Sequence, residues 1–128
     1  MYLEMPDKNL RIENPSADEI IRELQGMIGT PNDDNCLDLC RHDGGFIQAI
    51  GCISLGFIIR FKPANGSLHQ SREPLALQEV QSILIAHINS GNYPKADAVY
   101  EEIKMPSRRT LLSRLKSITD GTAKKWPL

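Results

Sequence analysis

Apolar and polar residues alternate in several short runs along the chain, and in two or three longer runs the apolar spacing changes to that of a helix. Leu10 and Ile12 alternate with Arg11 and Glu13, the period-two pattern of a half-buried strand. Pro6-Asp7-Lys8-Asn9 is turn chemistry, so a short strand over 2–5 is expected to turn into one over 9–13. The next stretch, NPSADEIIRELQGM, carries Ser16 and Glu19 at capping-box spacing behind Asn14-Pro15. Ile20, Ile21, Leu24 and Met27 or Ile28 follow on one helical face, which predicts a helix of about three turns. Residues 29–34 read as a polar loop.

From 35 to 71 the period returns to two. NCLDLCRHDGGFIQAIGC reads as a hairpin turned at Asp43-Gly44-Gly45. The strand over 57–62 places Phe57, Ile59 and Phe61 on one face. Asn65-Gly66 turns it into a shorter, edge-like strand over 67–71. Glu73-Pro74 opens a second helix with Val80, Ile83, Leu84, His87 and Ile88 as its stripe and Gly91 as its stop. Residues 92–105 show no clear period beyond one loose turn at 96–100. Leu111, Leu112, Leu115 and Ile118 then mark a last amphipathic helix over 106–121, with Arg108, Arg109, Arg114 and Lys116 around the rest of it. The expected fold class is α+β: a single antiparallel sheet of about five strands with two to three helices packed on one face. The expected division is a compact domain over 1–105 and a basic amphipathic helix and tail over 106–128.

Composition changes this picture little. The chain has 128 residues, 41% hydrophobic and 24% charged, enough for one core. No apolar run approaches the roughly 18–20 residues of a membrane span, and the first residues have no signal-peptide pattern. No membrane association is expected, and three cysteines without framework spacing fit reduced thiols in a cytoplasmic protein. Net charge is −1, but unevenly spread. Residues 1–44 carry ten Asp or Glu against four Lys or Arg, whereas 104–128 carry seven Lys or Arg against one Asp. The acidic body suits a basic partner, and the basic tail an acidic surface.

The cysteines carry the only candidate metal or nucleophile chemistry. On a strand Cys36, Asp38, Cys40 and His42 share one side. Cys36 and Cys40 are then about 13 Å apart at roughly 3.3 Å per residue, too far for a disulfide or a shared zinc. Cys52 is expected opposite residues 35–37, close enough for a contact with Cys36. Two thiols and a distant His42 do not compose a zinc site. Cys40 with His42 has no helix N-terminus or orienting group in view to lower the thiol's pKa. The cysteines therefore read as small buried or half-buried hydrophobes. His69 reads as a surface residue and His87 as a hydrogen-bonded core residue. No phosphate-binding, zincin or nucleophile-elbow motif is present. No catalytic residue, metal or cofactor is expected, and 5% aromatics argue against base stacking with nucleic acid.

The strand leading into NPSADEIIREL, then DGGFIQAIG, GFIIRF and the helix EPLALQEVQSIL resemble, in kind and order, small immunity proteins encoded beside bacterial polymorphic toxins, including those of contact-dependent growth inhibition. The resemblance covers about residues 9–105, and the basic stretch beyond is a departure from it. It implies a protein without a reaction of its own, which binds a cognate toxin domain one to one and blocks its active site. Toxins of this kind are often nucleases, whose clefts are basic because they hold phosphate. The acids that would face such a partner are Asp33 and Asp34, Asp38 and Asp43 along the hairpin, and Asp97, Glu101 and Glu102 before the tail. The alternative class is a nucleic-acid-associated regulator using the basic C-terminal helix, and a small enzyme resting on Cys40 and His42 comes third. A homodimer stays open.

Overall fold

The structure is a computed structural model, which describes residues 1–28, 36–95 and 99–103. These form one antiparallel sheet of seven strands: β1 (Tyr2–Met5), β2 (Leu10–Glu13), β3 (Cys36–Cys40), β4 (Phe46–Cys52), β5 (Gly56–Lys62), β6 (Leu68–Ser71) and β7 (Tyr100–Ile103). Their spatial order is β2-β1-β3-β4-β5-β6-β7. Helix α1 (Ala17–Gln25) joins β2 to β3, and α2 (Leu77–Ser90) joins β6 to β7. The expected class therefore holds, with seven strands in place of about five and two helices among the described residues. The last predicted helix, over 106–121, lies outside the described residues.

The seventh strand is β7. Its sequence, YEEI, has two adjacent acids and no clean alternation, so it reads as loop. Pairing decides its state: Leu68 lies opposite Ile103 and Ser71 opposite Tyr100. This also corrects the reading of the 67–71 run as edge-like, since β6 is an interior strand. His69 is accordingly not a free surface side chain. It is half-buried and stacks on Phe61 at 5.1 Å between ring centroids.

Period-two alternation sorts the sheet into two faces. Leu3, Met5, Leu37, Leu39, Ile47, Ala49, Ile59 and Phe61 meet Ile20 and Leu24 of α1 and Val80 and Leu84 of α2 in one buried cluster. Helix α1 begins as its sequence dictates: the Glu19 amide donates to Ser16 Oγ at 3.1 Å, and the Ser16 amide to Glu19 Oε1 at 3.0 Å. Helix α2 begins three residues later than Glu73-Pro74 suggests. The Leu75 amide and carbonyl are bound to the Phe57 carbonyl and amide, at 2.7 and 2.9 Å, which holds the segment extended. The helix ends at Gly91, with φ of +73°, where the left-handed conformation favours glycine. His87 is fully buried on the inner stripe, and its Nδ1 bonds to the Asn92 carbonyl oxygen at 2.9 Å.

Candidate functional site: the open face of the sheet

With both helices on one face, the other face is built from the alternate residues of every strand. Register places one polar row across all seven strands. Arg11 lies opposite Glu4, Glu4 opposite Asp38, and Asp38 opposite Gln48. Gln48 then lies opposite Arg60, Arg60 opposite Gln70, and Gln70 opposite Glu101. Cross-strand neighbours on one face lie about 5 Å apart, so the row is a continuous band of donors and acceptors. Arg60 donates to Gln70 Oε1 through Nε at 3.1 Å and Nη2 at 2.6 Å. On one side of the band lie Tyr2, Cys40, Phe46, Lys62 and Leu68, and on the other Cys36, Ile50 and Ile58.

At the β1-β3-β4 corner the face opens into a cavity of about 350 Å³, whose lining includes Tyr2, Asp38, Cys40, Phe46, Gln48 and Arg60. Asp38 lies deep in it. Burial pushes its carboxyl up to about 6, the Glu4 charge opposite adds to the rise, and a Gln48 hydrogen bond offsets part of it. Its Oδ1 is buried without a hydrogen-bond partner among the described residues. The Cys40 thiol is pushed up to about 11 by burial and by the charges of Asp38 and Glu4. That direction disfavours the thiolate a nucleophile needs. The neighbouring Cys40 also raises the Tyr2 phenol, and the Arg11 guanidinium sits over the Tyr2 ring at 3.9 Å.

The sequence-predicted acids do not converge on one patch. Asp38 is in the cavity rather than on a solvated rim. Asp43 is exposed at the β3–β4 turn, where its carboxylate accepts from the Gly45 amide at 2.9 Å and from Arg41 Nε at 3.3 Å. The Gly45 amide bond holds its carboxyl below the usual range. Gly45 has no room for a Cβ because the Tyr93 hydroxyl lies against it, which fixes the turn beside the cavity. Glu101 shares the open face but stands on the far strand, paired to Arg72 at 3.3 Å. Glu102 is on the opposite side, across from His69. Asp33, Asp34 and Asp97 lie outside the described residues.

The thiols stand as spacing requires, with one correction. Cys36 faces Ile50, not Cys52, because the turn places Cys40 opposite Phe46 and fixes the register from there. His42 lies beyond the end of β3, exposed, with its ring 5.4 Å from that of Tyr2. No group of three His, Cys, Asp or Glu side chains suited to a metal ion occurs among the described residues. No helix among them is long and apolar enough to cross a membrane.

Sequence reasoning missed Tyr2, Glu4, Phe46, Gln48 and Arg60 as members of one surface. The signal was present: each occupies the off-core parity of its strand. Assembling them needed the strand order, above all the insertion of β1 between β2 and β3. Compared with known proteins, the chain matches no family model, and no curated protein or solved structure is significantly similar to it.

Proposed function

We propose that this chain is an immunity protein, which binds a cognate toxin domain and neutralises it by occupying its active site, and that the open corner around Asp38 is the point of engagement. The observation that carries this reading is Asp38: a carboxylate in an open cavity, beside Tyr2 and Phe46, with one oxygen unsatisfied among the described residues. A buried carboxylate oxygen without a partner costs folding stability. A basic or hydrogen-bond-donating side chain of a partner would complete it, while Tyr2 and Phe46 offer the aromatic contact typical of interface hot spots. A nuclease-type toxin supplies such groups, because the cleft that holds its phosphates is lined with Lys and Arg. The sequence resemblance points to the same class of partner, and exposed Asp43 in the β3–β4 turn adds long-range attraction.

The test is the affinity for the toxin domain encoded beside this protein's gene. Asp38→Asn should weaken the complex about tenfold, the effect of losing roughly 1.4 kcal/mol. Phe46→Asp should weaken it at least as much. Arg22→Glu, on the exposed side of α1, should leave it unchanged. Equal affinity for all three variants would remove the corner from the interface, and absence of any complex with the wild-type chain would remove the reading itself.

A further inference from the structure

His87, in the last turn of α2, has no exposed surface. Its Nδ1 lies 2.9 Å from the Asn92 carbonyl oxygen, which can only accept, so Nδ1 carries the proton and Nε2 the lone pair. Nε2 is buried with no hydrogen-bond partner among the described residues. The imidazole packs on the Tyr93 ring at 4.6 Å between centroids. Tyr93 in turn stacks on Phe61 of β5 at 6.0 Å, and its hydroxyl lies against Gly45. Arg41 reaches across the same junction from the other side: a Cβ built on Gly91 would stand 3.0 Å from its Nη1. The end of α2 thus meets the 41–45 turn through Gly91 and Tyr93, which flank the Asn92 carbonyl that His87 binds.

We propose that His87 is an acid-sensitive latch, whose neutral ring keeps the end of α2 and Tyr93 closed on the β3–β4 turn and whose protonation releases them. A second ring proton would place a charge and an unmatched donor at Nε2, in a buried site that offers it no partner among the described residues. Burial is the largest influence on the ring and holds its pKa below the usual histidine value. Among the described residues the charges acting on it come from the 41–45 turn. Arg41 lowers it further, whereas Asp43 and the bond to Asn92 offset part of the fall. Opening of the segment returns the ring to water, where it takes up a proton below about pH 6.5. Closure is therefore fully favoured above that value and weakens as pH falls from it toward the lowered pKa of the closed state. Arg41, Gly44 and Gly45 also line the open-corner cavity, so release frees one of its walls. The inference concerns this chain alone and stands apart from the identity of any partner.

Hydrogen exchange in the full chain, followed at single amides and corrected for intrinsic rates, tests it. From pH 7.5 to pH 5.5, protection should fall by up to about tenfold at residues 88–91 and at Gly44 and Gly45, while Ile20 to Leu24 of α1 keep theirs. Unchanged protection at 88–91, or an equal loss in α1, overturns the latch. In His87→Phe, which keeps a ring and cannot gain a proton, the dependence on pH should vanish. Its persistence there overturns the assignment to His87. Should that variant not fold, NMR of the native imidazole decides. The ring should hold the Nδ1–H tautomer and titrate below the ordinary histidine value, and titration at or above that value overturns the proposal.

Discussion

Asp38 illustrates how far residue-level reading goes. Its strand, its face and its acidity follow from the alternation in CLDLC, and this is where the structure places them. Its environment does not follow, because its cross-strand neighbours, Glu4 and Gln48, come from other strands. A carboxyl raised from about 4 to about 6 is protonated in the folded protein at pH values where the unfolded chain has already ionised. Below about pH 4 both states are protonated and no penalty exists. The penalty grows from pH 4 to pH 6 and is complete above it, amounting to about 3 kcal/mol at most. Asp38→Asn should therefore raise the melting temperature at pH 7.5, and the gain should vanish by pH 3.5. A variant less stable than wild type at pH 7.5 would mean that the carboxylate is satisfied rather than strained. The same substitution should weaken toxin binding, so stability and affinity should move in opposite directions, a pattern that a purely structural residue does not give.

At the scale of elements, legibility followed the strength of local chemistry. Helix α1 announces itself through Ser16 and Glu19, and both reciprocal bonds form. Ser16→Ala should lower stability by about 1 kcal/mol, measured by urea denaturation, with no change in partner affinity. A loss in affinity would place α1 in the interface. Strand β5 is equally plain, since Phe57, Ile59 and Phe61 need one buried face. Strand β7 was illegible because Glu101 and Glu102 have low strand propensity and only pairing with β6 makes them extended. The start of α2 was misplaced for the same kind of reason. The helix start expected at Glu73-Pro74 yields to the bridge between Leu75 and Phe57, a contact eighteen residues apart in sequence.

For the whole molecule, the α+β class was legible because short alternating runs and amphipathic runs have one economical arrangement, helices on one face of an antiparallel sheet. The candidate site was not, because it is a property of strand order. The polar row from Arg11 to Glu101 unites residues from seven strands. No window of sequence contains it. The two faces then divide the labour: one holds the core against α1 and α2, and the other presents Asp38 with Tyr2 and Phe46 beside it. On the proposed reading this surface recognises a partner and transforms nothing, and it must then act by stoichiometry. The most direct measurement is a titration of the neighbouring toxin domain's activity with this protein at concentrations well above the dissociation constant. Activity should fall linearly and end at one equivalent, independent of incubation time. Progressive loss of activity at a small fraction of an equivalent, or full activity at several equivalents, would contradict the account.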